Sequence, residues 1–373
     1  MNKKSRKQQK RKSEAERIKR QKFIFFVLLT LVFILGSLNV AKAKGWLISS
    51  DPQIEIRDNI IILDDLTLER KIAQMLIVHG APYNRLAWQK LGVGGIHLFA
   101  LETPELFRQT IAEFQEGQQI PFLVTVDLEG CLNPFANFQD FPAASEINTR
   151  EEAYEKGLSE GIFLQDLGIT INLAPVVDLE DNIWHCRTFP GNTSEVAQLA
   201  HAYLSGLQSS SVLGTAKHYP GQALALLDPH KQLVIAQIEE NDLYPFRYLR
   251  EQGILENMMV SHVIVSGALD SGSKPAVVSA KIISSWQENF SGLVITDDTM
   301  MQGLRKFYSS PEEMYVDLFK AGSDLIINFN DDPLEIFNLI EVVKEAVEKG
   351  EISAERINRS VRKILLAKGF EVQ

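Results

Sequence analysis

Carboxylates, imidazoles and a lysine recur in this sequence at or near the ends of short apolar runs. Asp127 ends the run Phe122–Asp127, Lys217 and His218 lie at the end of Gly214–Tyr219, Ser261 and His262 lie within Met258–Val265, and Asp297 ends Gly292–Asp297. A further group, Asp228-Pro229-His230, begins 11 residues beyond Lys217. A carboxylate can act as a nucleophile or a general base. An imidazole, with an ordinary pKa of about 6.5, can both give and take a proton near neutrality. Each residue also has a plainer reading. A polar group at a strand end can be a buried residue satisfied by backbone bonds, and Asp before Pro is common in turns. Four strands ending in charged or imidazole groups are hard to explain by packing alone. His218, His230 and His262 are scattered, with no H-x-x-x-H or C-x-x-C spacing, and the chain has only two cysteines, so no metal site is expected.

The elements that would carry these residues alternate. The strand candidates are Met75–Gly80, Gly95–Phe99, Phe122–Asp127, Ile169–Ala174, Gly214–Tyr219, Met258–Val265, Gly292–Asp297 and Asp324–Phe329. Near-continuous apolar runs suit strands covered on both faces, as in a parallel sheet. Helical patterns lie between them at Pro104–Gln115, Arg150–Leu167, Glu195–Ser209 and Ser310–Ala321. Eight such βα units predict an α/β fold, a (β/α)8 TIM barrel, whose active site belongs at the C-terminal ends of the strands. A doubly wound open sheet is the rival, but no glycine-rich phosphate loop follows the first strand candidate.

Three strings carry a likeness to a known family: Val126-Asp127-Leu128-Glu129-Gly130, Ala216-Lys217-His218-Tyr219-Pro220-Gly221 continuing to Asp228-Pro229-His230, and Ile295-Thr296-Asp297-Asp298-Thr299-Met300. With Lys71, Gly94-Gly95-Ile96, Asn172–Val176, Arg187-Thr188-Phe189, Val260-Ser261-His262 and Lys320–Leu325 in order, about 300 residues resemble glycoside hydrolase family 3, in its single-domain β-N-acetylhexosaminidase branch. The resemblance implies that Asp297 is the nucleophile of a retaining mechanism, with Asp298 in a structural role. It implies that His230 is the acid/base, oriented by Asp228, and that Asp127, Arg187, Lys217 and His218 bind substrate. No cofactor, metal or nucleotide is implied.

The sequence departs from that pattern in two loops. Gly130 is followed by Cys131 where the family usually has a second glycine, and Leu132–Asn137 lacks the family's arginines. Gln222-Ala223 replaces His-Gly in the fifth loop. These changes are read as altered aglycone preference or reduced activity. Cys131 and Cys186 fall in loops that are neighbours in a barrel, so either a disulfide at the rim of the pocket or two free thiols is expected.

Charge is unevenly placed. Residues 1–22 hold 11 basic and 2 acidic residues (+9), and the remainder holds 27 basic and 46 acidic residues (−19), which argues against nucleic acid as a partner of the body. Residues 23–40 carry no charge over 18 positions, roughly 27 Å of helix. The expected layout is a basic cytoplasmic tail (1–22), a transmembrane anchor (23–41), a linker (42–54) and a barrel (55–373). By the positive-inside rule the body would be extracytoplasmic, or secreted if Ala41-Lys42-Ala43 is cleaved. The function implied is an exo-acting retaining β-N-acetylhexosaminidase on cell-wall or chitin-type glycans. The alternatives are a β-glucosidase-like or phosphorolytic enzyme, or a weakened glycan-binding homologue. The oligomeric state is not legible.

Overall fold

The computed structural model of the chain describes residues 19–32, 54, 56–221, 231–287 and 290–373. Eight short strands form the centre: β1 Leu76–His79, β2 Gly95–His97, β3 Leu123–Val126, β4 Ile171–Asn172, β5 Leu213–Tyr219, β6 Asn257–Val260, β7 Leu293–Thr296 and β8 Ile326–Asn328. All pair in parallel, in the order β7-β6-β5-β4-β3-β2-β1-β8. A further bridge between Ile295 and Leu325 joins β7 to β8, so the barrel is nearly closed. Seven of the eight predicted strands are present as single strands, and the sixth is split. Their residues are buried almost throughout because helices cover the outside and side chains fill the inside.

Local sequence accounts for the helix bounds. Pro104–Gln115 starts with Thr103 as its cap and proline at the first position. Arg150–Leu167 starts at a capping box of Thr149 and Glu152 and stops at Gly168, whose φ of 88° suits glycine. Thr193–Gln208 begins two residues earlier than its apolar pattern predicts, because the Asn192 side chain accepts the Ser194 and Glu195 amides. Ser310 likewise caps Pro311–Ala321. The helices Arg150–Leu167 and Thr193–Gln208 touch backbone to backbone. A Cβ on Gly157 would lie 2.0 Å from the Tyr203 carbonyl oxygen, and one on Gly206 would lie 2.1 Å from that of Tyr154. This close packing brings the Tyr203 hydroxyl to the Asn172 side chain on β4.

Two expectations change. The sixth apolar run is not one strand. β6 stops at Val260, where Ser261 and His262 leave the ladder, and Ile264–Gly267 pairs instead with Ile235–Ile238 in a separate two-stranded parallel sheet. Physically, His262 is drawn aside to donate from Nε2 to the Asp298 carbonyl oxygen at 2.8 Å.

The second correction concerns the membrane. The membrane-anchored location, with its anchor expected over 23–40, is overturned, because no helix among the described residues is long and apolar enough to cross a membrane. The described helix covers 19–32, and its first four residues include Lys19, Arg20 and Lys22. The apolar count that suggested a span included 33–40, which lie outside the described residues, as do Ala41-Lys42-Ala43.

Candidate active site

A cavity of about 180 Å³ opens at the C-terminal mouth of the barrel and is lined by five of the predicted site residues: Asp127, Arg187, Lys217, His218 and Asp297. Asp127 follows β3, Lys217 and His218 end β5, and Asp297 follows β7, so strand ends aim them at one space. Arg187 arrives on the long connection after β4. Asp228 and His230 lie outside the described residues.

Charges are arranged as a chain. Lys217 Nζ lies 2.6 Å from both Asp127 Oδ1 and Glu129 Oε1. Arg187 donates to Glu129 through Nε at 2.6 Å and Nη2 at 2.9 Å. Two anions and two cations therefore balance in a site where Glu129, Lys217 and Arg187 are buried. Burial alone would raise the carboxyls, but Lys217 outweighs it, helped by Arg187 at both, and holds both below their usual range. For the same reason Lys217 is pushed up: burial disfavours its charge, and Asp127 and Glu129 more than compensate. The Asp127 side chain stays 36% exposed, so this ionised carboxylate faces the cavity as an acceptor. His97 stands behind it, Nε2 at 3.7 Å from Oδ2, and burial depresses its pKa to about 4, so the ring is neutral.

His218 is oriented through Nδ1, 2.8 Å from Asp178 Oδ2, and its backbone N–H donates to the other oxygen of the same carboxylate at 3.3 Å. Asp297 is half-buried, and its Oδ1 accepts the Asp298 amide at 2.8 Å. Asp298 is engaged differently: its Oδ1 accepts the Met300 and Phe329 amides at 3.0 and 3.3 Å, which folds the β7 loop onto β8. Both acids line the cavity; Asp297 accepts one backbone amide through Oδ1 and Asp298 accepts two.

The connection after β4 is pinned twice. Asp181 accepts four amides, from Ile183 and Trp184 at Oδ1 and from Cys186 and Arg187 at Oδ2, at 2.9–3.3 Å. Cys186 is disulfide-bonded to Cys131 across a Cα–Cα distance of 6.1 Å, so of the two alternatives the thiols are paired. Arg187 and Trp184 are thereby held over the cavity, with the guanidinium 4.6 Å from the indole centroid.

Sequence reasoning did not single out Glu129, Asp178, Trp184 or His97. Glu129 sits in the same string as Asp127, and only the sharp turn after β3 turns it under the site. Asp178 lies six residues beyond Asn172 in the Asn172–Val176 stretch. Its spacing gave no sign that it would meet β5. Nothing in the local pattern of Trp184 or His97 marks them.

Residues 67–367 match the model of the glycosyl hydrolase family 3 N-terminal domain. A β-hexosaminidase of Nitrosomonas eutropha is 30% identical over 263 residues, covering 64% of this chain and 74% of its own. The β-hexosaminidase LpqI of Mycobacterium tuberculosis is 27% identical over 325 residues, covering 80% and 82%. A solved glycoside hydrolase family 3 β-N-acetylglucosaminidase from Paenibacillus superposes with a TM-score of 0.73 at 28% identity, over 82% of this chain and 62% of that one. The solved LpqI gives 0.75 at 26% identity, over 83% and 95%. With more than half its length matched and its polar strand ends gathered at one barrel mouth, the chain belongs to glycosyl hydrolase family 3 and is by that membership a glycosidase.

Proposed function

We propose that the chain is a retaining, exo-acting β-N-acetylhexosaminidase that removes terminal β-linked N-acetylglucosamine from glycans. The observation that carries this reading is the presence of Asp297 and the Asp127–Lys217 pair around one small cavity at the barrel mouth. The names of its relatives support the choice of sugar.

In this reading Asp297 attacks the anomeric carbon while the imidazolium of His230, held by Asp228, protonates the leaving oxygen. The C–O bond to the leaving group breaks and an ester to Asp297 forms. Water then gives its proton to His230 and attacks the same carbon, which releases the sugar with its original configuration. Asp127 accepts hydroxyl hydrogens, and Lys217, His218 and Arg187 complete the contacts. Ionised acceptors and fixed donors suit a ligand recognised mainly by hydrogen bonding.

Hydrolysis of aryl β-N-acetylglucosaminides with good and poor leaving groups tests the assignment. His230→Ala is expected to slow poor leaving groups at least about a hundredfold more than good ones, since only the former need the proton. Equal losses on both would remove His230 from the acid role. A rate that depends on added phosphate would replace hydrolysis by phosphorolysis.

A further inference from the structure

His262 takes no part in the mechanism proposed above, yet it is buried beside the turn that carries Asp297. Its Nε2 lies 2.8 Å from the Asp298 carbonyl oxygen. A carbonyl can only accept, so Nε2 carries a proton and donates it. Asp298 in turn gives its own N–H to Asp297 Oδ1 at 2.8 Å. One residue is thus held at its carbonyl by an imidazole while its amide holds an oxygen of the neighbouring carboxylate.

The turn after β7 is tied to the strands on both sides. Towards β8, Thr299 donates its N–H at 3.0 Å and its hydroxyl at 2.9 Å to the Ile327 carbonyl, and the Phe329 N–H donates to Asp298 Oδ1 at 3.3 Å. Towards β6, the Asp297 N–H donates to the Val260 carbonyl at 3.2 Å, the long end of the ordinary range. The His262 bond reinforces that side with a shorter contact.

His262 is itself fixed. The Ser261 N–H donates to the Tyr219 carbonyl at the end of β5 at 2.9 Å, and the Ser261 carbonyl accepts the Val277 N–H at 3.1 Å. The Val263 carbonyl accepts the Ala276 N–H at 2.9 Å. The residues flanking the imidazole are therefore bonded to β5 and to the short helix Ala276–Val278. A donor anchored in this way can hold a reacting group to within about 0.5 Å of its working geometry.

We propose that His262 is a positioning residue for the nucleophile: by holding the Asp298 carbonyl it fixes the Asp298 N–H, and through that N–H the carboxylate of Asp297. Its part is orientation, with no proton transfer. The proposal rests on the hexosaminidase reading, in which Asp297 attacks, and adds to it a residue outside the acid/base pair and the substrate contacts. A displacement of about 1 Å at a reacting group can slow a reaction about a hundredfold. Binding of the sugar by Asp127, Arg187, Lys217 and His218 does not depend on this bond, since those residues stand on other elements.

The test uses the full chain and two readouts. One is the saturating rate of covalent labelling at Asp297 by a slow fluorinated N-acetylglucosaminyl substrate. The other is the inhibition constant of N-acetylglucosamine, which reports binding without reaction. His262→Met fills similar space without a donor, and it is expected to slow labelling about a hundredfold while changing the inhibition constant less than about twofold. His262→Gln places an amide donor at about the reach of the imidazole Nε2, and it is expected to label within about tenfold of the wild type. If His262→Met fails to fold, His262→Asn, whose amide falls short of the Asp298 carbonyl, replaces it with the same expectation. Labelling at the wild-type rate in the variant without the bond overturns the proposal. So does His262→Gln as slow as that variant, or an inhibition constant that rises as far as the rate falls. A wild type that takes its label elsewhere than Asp297, or none, overturns the nucleophile of the hexosaminidase reading and the proposal with it.

Discussion

The Asn172 carboxamide grips the backbone of Leu128 on both sides, its Oδ1 accepting the Leu128 N–H at 2.9 Å and its Nδ2 donating to the Leu128 carbonyl at 2.8 Å. Leu128 stands between Asp127 and Glu129, so one buried side chain on β4 sets the turn that presents both acids. The same Nδ2 meets the Tyr203 hydroxyl at 2.9 Å, which in turn donates to Glu160 at 2.6 Å. The tight helix pair at Gly157 and Gly206 is thereby coupled to the site.

Asn172→Leu leaves both Leu128 groups buried and unpaired. Each unsatisfied group costs about 1–3 kcal/mol, so a loss of about 3 kcal/mol in urea unfolding is expected, with a raised KM. Unchanged stability together with unchanged KM would show that the turn holds itself.

Glu129→Gln removes the shared partner of two buried cations. The expected loss is about 3–5 kcal/mol of stability, because Arg187 and Lys217 remain buried with a neutral amide between them. Denaturant unfolding of the variant checks the value, and a change below about 1 kcal/mol contradicts a charge chain of this kind.

The Cys131–Cys186 bond closes a loop with a sequence separation of 55, for which the chain-entropy account gives a ceiling of about 4 kcal/mol. The Cys131→Ser, Cys186→Ser double variant should unfold at lower denaturant by up to this amount. Its KM should rise more than its kcat falls, since Trp184 and Arg187 flank Cys186. A fall in kcat at constant KM would separate the bond from binding.

Acid should destabilise the fold through His97 before Asp127 and Glu129, which are held low, take up protons. Burial, with contributions from Lys217 and His79 and opposed by Asp127, lowers the His97 pKa from 6.5 to about 4. Between those values the unfolded chain takes up a proton that the folded chain refuses. Stability therefore falls as pH drops through this window, by about 3 kcal/mol. Urea unfolding at about pH 7 and about pH 4 measures it. In His97→Gln the slope in this window should flatten, and a slope of the same size in the variant would assign it to other groups.

The barrel was legible because its strands are continuous apolar runs and its helices begin at Thr, Asn and Ser caps, both of which are local signals. Asp127, Lys217, His218 and Asp297 were legible because strand ends in a barrel converge by geometry. Glu129, Asp178 and His97 were not, since each acts through a partner 28 to 88 residues away in sequence (Thr125 for His97, His218 for Asp178, Lys217 for Glu129) that no local pattern encodes. The membrane span was read from an uncharged run of which 33–40 lie outside the described residues, and no helix among the described residues is long and apolar enough to cross a bilayer. The break after Val260 was missed because Ser261 and His262 lie within one apolar run whose two halves pair with different strands.

Covalent trapping tests the central claim most directly. Turnover of a slow fluorinated N-acetylglucosaminyl substrate, followed by proteolysis and mass spectrometric mapping, should find the sugar esterified to the carboxyl of Asp297, and Asp297→Ala should take up no label. A label on Asp298 or on any other residue, or release of the sugar with inverted configuration, would contradict the account.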